Sequence, residues 1–208
     1  MATSFNYEAS DDVFVSSYES TSGVVVLTAP LNHYHYGAAQ STAAMYNGAD
    51  IRGEVLILSR NIIIAGEDIE TWGGQIVTSD TIEGDLTVRN GHTILHNVEI
   101  YNCSQINTLK AALRFEGTSG SWSHIKGVSL HNGHSWGFNA ISSAHLKIEK
   151  TIVFSFKPIG LSLLTVMNVT LDNNFVAHIY ERKLDNIMSF IDKRGAYALC
   201  SYNEGNRC

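Results

Sequence analysis

Residues 145–156 read HLKIEKTIVFSF, and residues 167–180 read MNVTLDNNFVAHIY. Each opens on a short strand candidate, Leu146-Lys147-Ile148 in one and Val169-Thr170-Leu171 in the other. Each then passes through polar residues to a second apolar position. Ile148 and Leu171 stand 23 positions apart, and so do Ile152 and Phe175. A looser form of the pattern runs through HTILHNVEIYNC at 92–103 and SHIKGVSLHNG at 123–133. A recurrence of this length fits one coil of a parallel β-helix, in which three short strands and their turns advance the chain by one layer. A single coil cannot bury its inward side chains, whereas stacked coils share a continuous core. Ile148, Ile152, Val169, Leu171 and Phe175 are therefore expected to point inward. Asn97, Asn132 and Asn173 are expected at the bends, where asparagine satisfies turn backbone groups.

Working outward, RGEVLILS at about 52–59, NIIIAGE, GGQIVTS and DLTVRN add strand candidates rich in β-branched residues. Glycine and asparagine punctuate them at close intervals. A β-sandwich would account for the strands but not for the recurrence. The expected fold class is all-β, a parallel β-helix over residues 23–208. Residues 1–22 are read as an N-terminal extension or edge segment.

Composition narrows the function. Only 16% of the 208 residues are charged, and the formal net charge is −6 with no long run of one sign. A protein that tracks phosphates needs a basic face, so no nucleic-acid partner is expected. No stretch reaches the roughly 18–20 apolar residues of a membrane span, so no direct span is expected. The start, MATSFNYEASDDVF, lacks the basic and apolar regions of a signal peptide. Phosphate-loop, zinc-protease and nucleophile-elbow motifs are absent, and no cofactor or metal is expected.

Several residues stand as candidates. His33 and His35 alternate with tyrosines and would share one face of an extended segment, in packing or in contact with a metal or carbohydrate. Asp50, Arg52 and Glu54 alternate in the same way. Arg52 could bridge the two carboxylates in a packed turn, or the three could floor a polar groove with one carboxylate as an acid. His131 and His134 flank Asn132-Gly133, and with Trp72 they are possible glycan contacts or ordinary turn and packing residues. Asn102-Cys103-Ser104 and Asn168-Val169-Thr170 match the glycosylation triplet, Asn168 being the better placed. Of the three cysteines, Cys200 and Cys208 could close a short disulfide loop or remain thiols.

An ordered series of blocks adds a resemblance. LTAPLNHYHYGA at 27–38, YNGADIRGEVLILSRNIIIAGED at 46–68, WGGQIVTSD at 72–80, HTILHNVEIYNCSQ at 92–105, AALRFEG at 111–117 and HNGHSWGFNAISS at 131–143 resemble the β-helix region of the fibrocystin and fibrocystin-like family. HYHYG and the following Asp50-x-Arg52-x-Glu54 pattern also resemble, more distantly, the cell-migration-inducing and transmembrane hyaluronidase family. The resemblance implies a right-handed, single-stranded, pectin-lyase-like β-helix built of PbH1 repeats. It implies a segment cut from a larger secreted or membrane-anchored glycoprotein, placed outside the cell or at its surface. The implied role is a structural or interaction module recognising protein or glycan, without catalysis. The alternative it implies is a glycosaminoglycan-active hydrolase. Against that, Leu113-Arg114-Phe115-Glu116 stands where the hyaluronidases carry a His-Phe-His segment.

Overall fold

The computed structural model describes residues 9–37, 45–46, 49–50, 52–67, 72–179 and 197–200. The chain divides into two compact units, Met1–Ile57 and Leu58–Cys208. In the first, β1 (Val15–Glu19) and β2 (Val24–Leu27) form an antiparallel hairpin whose turn holds Gly23 at φ 73°. The boundary expected between residues 22 and 23 falls in this turn. β3 (Met45–Tyr46) and β4 (Ala49–Asp50) make a second short antiparallel pair.

In the second unit the chain winds into coils. β5 (Ile62–Ala65) and β6 (Ile76–Ser79) come first, followed by a small hairpin of β7 (Thr81–Ile82) and β8 (Val88–Arg89). The next coil runs through β9 (Ile94–His96), β10 (Val98–Tyr101) and β11 (Leu113–Glu116). After it come β12 (Ser123–Lys126), β13 (Ser129–His131) and β14 (Phe138–Ile141), then β15 (Ala144–Glu149), β16 (Ile152–Phe156) and β17 (Leu161–Leu164). The last is β18 (Met167–Asp172), β19 (Phe175–Ile179) and β20 (Tyr197–Cys200). Corresponding strands stack in parallel. The first sheet is ordered β19-β16-β13-β10-β5, the second β20-β17-β14-β11-β6 and the third β18-β15-β12-β9. This is the all-β parallel β-helix that the recurrence implied.

The register agrees residue by residue. Ile148 pairs with Leu171 and Ile152 with Phe175, at the offset of 23 seen in the sequence. The same offset joins Ser123 to Leu146 and Phe138 to Leu161. Two expected strands differ. Residues 55–60 carry no strand, and Val55 and Ile57 are exposed. Of DLTVRN, only Val88–Arg89 pairs, because the preceding residues form the turn of the β7–β8 hairpin. A β-prone segment becomes a strand only where a neighbour completes its ladder.

Inside, like positions lie above one another. Ile100, Leu130 and Val153 form one column of the first sheet, and Leu113, Phe138 and Leu161 one of the second. Leu95, Ile125, Ile148 and Leu171 form one of the third. Val169 and Leu171 pack against this core as expected. Ile152 and Phe175 do not join it; Val153 and Val176, one residue further on, take the inward places.

The cause lies at the corners. Between the third sheet and the first, the bend residue takes a left-handed conformation in every coil: Asn97 (φ 54°), Gly127 (φ 62°), Lys150 (φ 49°) and Asn173 (φ 52°). Side chains alternate along a strand, so one residue of altered backbone resets which face follows. A second column after or within the first sheet's strands runs Asn102, Asn132, Ser155 and His178, all at positive φ. Asn97, Asn132 and Asn173 thus sit at bends as expected. At the last of these corners the side-chain hydrogen bonds come from the next residue. Asn174 Nδ2 donates to Ile148 O (2.8 Å), and its Oδ1 accepts from Thr151 N (2.9 Å).

Candidate functional site

The three sheets differ in what they turn outward. On the first, Glu99, Ser129, His131 and Phe154 are buried, and on the second so are Asn139 and Ser162. The third sheet keeps a displayed polar face. Ser123, Ile125, Ala144, Leu146 and Ile148 are buried on one side, so the alternate residues face away from the core. One outward row is Ile94, His124, Lys147 and Thr170; the next is His96, Lys126, Glu149 and Asp172. Trp122, just before β12, lies beside His145 with ring centroids 5.2 Å apart, and Asn168 Nδ2 donates to His145 Nδ1 at 2.9 Å.

Across these rows runs a chain of contacts. His124 Nε2 lies 2.5 Å from Glu149 Oε2, and Lys147 Nζ lies 2.9 Å from the other oxygen, Oε1. His124 Nδ1 lies 3.2 Å from His96 Nε2. An ionised carboxylate only accepts, so His124 places its proton on Nε2. In the neutral form the ring accepts at Nδ1, and His96 donates its Nε2–H. Lys147, joined by His124, draws the Glu149 carboxyl down to about 2. A carboxyl depressed on folding stabilises above its unfolded value, and that contribution disappears as the pH falls through the folded value. Between about pH 4.5 and pH 2, the native chain should therefore lose stability more steeply than Glu149→Gln. Urea midpoints measured across that range check this; parallel curves would refute it.

Two other polar clusters hold the framework. Glu99 accepts Arg60 N–H at 2.8 Å through one oxygen and faces His131 Nε2 at 3.1 Å through the other. The Arg60 Nε donates to Gly127 O (2.8 Å), joining three coils. In the first unit, Asp11 accepts from Asn32 N, Asn32 Nδ2 and His33 N. Its Oδ2 lies 2.8 Å from His35 Nε2. Burial works to raise the Asp11 carboxyl, but the hydrogen bonds from His35, Asn32 and His33 outweigh it and hold it well below the ordinary carboxylate range.

The residues singled out from the sequence are thus dispersed. His35 is buried against Asp11, while His33 is partly exposed and only 3.5 Å from the same carboxylate. Asp50 ends β4 opposite Met45; Arg52 and Glu54 are exposed beyond it, outside any named strand. Trp72 is displayed, with Lys110 Nζ 5.7 Å from its ring centroid. His131 is buried, stacked on Tyr101 at 5.5 Å, and His134 is partly buried with its N–H on Cys103 O. Asn168 and Thr170 are exposed, whereas Asn102 is partly buried and Ser104 fully so, its hydroxyl accepting from Ser135 N. The Cys200–Cys208 link lies outside the described residues: only the backbone of Cys200, in β20, is placed. Cys103 is a buried free thiol, and burial pushes it up. His96, His124, His145 and Glu149 stand apart from any motif because a partner of each lies a whole coil away, and Lys147, which bonds Glu149 on its own strand, joins them only through it.

Among the described residues, no group of three or more His, Cys, Asp or Glu could hold a metal ion, and no helix is long and apolar enough to cross a membrane. Against known proteins the resemblance is distant. The chain is similar to human Fibrocystin-L, 24% identical over 166 residues, covering 73% of this chain and 4% of that protein. It is likewise similar to mouse Fibrocystin-L, 24% identical over 170 residues, covering 64% of this chain and 4% of that protein. The chain therefore spans only a small part of the curated relatives it matches. No family model matches it, and no solved structure does.

Proposed function

We propose that the chain is an extracellular interaction module of a larger secreted or cell-surface glycoprotein, recognising protein or glycan through the outer face of its third sheet. The observation that carries this reading is that face itself. It displays Trp122, Lys126, Thr170 and Asp172 beside a histidine–carboxylate chain, whereas Glu99, Ser129, His131 and Phe154 of the first sheet and Asn139 and Ser162 of the second are buried. Specific interfaces favour aromatic anchors set among polar groups. The extracellular setting follows from the resemblance to the fibrocystin family, with which the distant similarity to Fibrocystin-L agrees. Panels of extracellular glycans and surface proteins test the reading. Binding that drops at least about tenfold in Trp122→Ala would support it, the loss expected when an anchor aromatic is truncated. Binding unaffected by changes on this face would overturn it.

Secretion into a glycosylating host gives a second readout. Asn168 and Thr170 are exposed and open to glycosylation, whereas Asn102 should carry no glycan, because Ser104 is buried. A glycan on Asn168 Nδ2, which meets His145, should weaken binding at this face, so the binding panels use chain produced without glycosylation. Mass shifts on enzymatic deglycosylation of the native chain and of Asn168→Gln check this.

Hydrolysis of hyaluronan is not expected. Glycoside hydrolysis needs a protonated acid and a second carboxylate across one bond. Glu149, on the displayed face, is held ionised with both oxygens engaged. Polymer length and reducing ends should stay unchanged at acidic and neutral pH, with calcium present or removed. Cleavage lost on Asp50→Asn or Glu54→Gln would establish the hydrolase instead.

A further inference from the structure

The third sheet concentrates imidazoles in a chain that is acidic overall. His96 comes from β9, His124 from β12 and His145 from β15, all on the outward side. The other charged groups on the same rows are Lys126 on β12, Lys147 and Glu149 on β15, and Asp172 on β18. His92 before β9 and Lys150 at the bend after β15 flank the face, both exposed. With neutral imidazoles, Lys126 and Lys147 balance Glu149 and Asp172. Protonation of His96 and His124 adds two positive charges to rows that carried none in excess, and protonation of His145 adds a third beside them.

Geometry makes that change more than additive in charge. His124 is held by Glu149 at Nε2 and by His96 at Nδ1. A second proton on His124 sits at Nδ1 and turns the acceptor into a donor. It then meets the Nε2–H of His96. A neutral His96 answers by carrying its own proton on Nδ1 instead, but once both rings are protonated two donors face each other and the rings must part, while Glu149 keeps its bond. Acidification thus frees the His96 ring from the chain just as the face becomes cationic. At the other end, Trp122 stands half-exposed beside His145, offering an aromatic surface to an apolar ring face.

We propose that this face binds a sulfated glycan chain, and that it does so more tightly under mildly acidic conditions. Sulfate esters stay ionised throughout the range in which histidine titrates, so the ligand's charge holds while the protein's rises. A pyranose ring covers Trp122, and its sulfates lie over the histidine and lysine rows, whose strands repeat at the spacing of a parallel sheet, about 4.8 Å. This rests on the interaction-module reading and names the ligand class of the same face.

The test uses the whole chain and heparin as the probe. Calorimetry at about pH 5.5 and about pH 7.5, on either side of the ordinary imidazole value, should give binding at least about tenfold tighter at the lower pH, as three added charges at close range would produce. Combined His96→Gln, His124→Gln and His145→Gln should abolish the pH dependence with circular dichroism unchanged. His96→Lys combined with His145→Lys should restore tight binding at both pH values. On the native chain, heparin should raise the titration midpoints of these three imidazoles in NMR, a readout that needs no variant. Equal affinity at both pH values, pH dependence that survives the glutamine substitutions, or equal binding of an unsulfated polyglutamate peptide would each overturn the proposal. A protein or neutral glycan bound at neutral pH and indifferent to the histidine changes would also overturn it, while leaving the interaction-module reading in place.

Discussion

Gly66→Ala should destabilise the β-helix by roughly 3 kcal/mol or more, at the upper end of overpacking costs. A methyl placed on Gly66 would sit 1.9 Å from Asn102 O and 2.5 Å from Gly74 N. Both obstacles are backbone, and Gly66 N is itself bonded to Tyr101 O at 2.9 Å. No rotamer change relieves such a contact; two neighbouring coils must move apart. Gly73 approaches the same Asn102 carbonyl, so the Trp72-Gly73-Gly74 segment is tight for the same reason. Gly84→Ala is the control, since nothing lies within 4 Å of its added methyl. Urea denaturation should show a large fall in midpoint for the first and little change for the second. Similar midpoints would show that the coils are looser at this point than their spacing implies.

Phe138→Ala should cost about 3–5 kcal/mol, the usual range for emptying a buried aromatic site. Phe138 is fully buried, between Leu113 and Leu161 in its column, with the Phe115 ring centroid 5.6 Å away. The strands on both sides are pinned by their ladders, which limits collapse into the cavity. Phe138→Leu should recover part of the loss. Phe14→Ala, in the other unit and 81% exposed, should be near neutral. Because coils touch mainly their neighbours, hydrogen exchange should accelerate most in β11, β14 and β17. Uniform acceleration through all three sheets would argue instead that the stack unfolds as one body.

The recurrence of Ile148 with Leu171 could be read directly because a stacked coil forces equivalent residues into register. The inward assignment of Ile152 and Phe175 failed for a local reason. Strict alternation carries Ile148 to Ile152, but the left-handed residue at Lys150 breaks that count. Asparagine or glycine at a bend announces such a conformation, whereas lysine does not. The candidate site was harder. Asp50, Arg52 and Glu54 were legible as a pattern because they alternate along the chain, yet alternation in sequence did not place them on one strand. His96, His124 and Glu149 meet through ladders, and coil length differs along the chain: Leu95 pairs with Ile125 at an offset of 30, Ile125 with Ile148 at 23. A search at one fixed period cannot bring the three together.

The corners of the coil also differ in how much length they tolerate. From the inward column of the third sheet to that of the first, the spacing is five residues in all four coils: Leu95 to Ile100, Ile125 to Leu130, Ile148 to Val153 and Leu171 to Val176. From the first sheet to the second, the connection takes residues 66–75, 102–112, 132–137 and 157–160 in successive coils. An inserted residue at the narrow corner would turn every side chain that follows it; the same insertion at the wide corner lengthens a loop and leaves the strands as they were. Descendants of this sequence are therefore free to drift in size along one edge of the solenoid and held to a fixed count along another. A foreign peptide grafted between Asn107 and Lys110, where the wide corner is exposed, should be carried as cargo, while the same graft at Lys150-Thr151 should not be accepted at all.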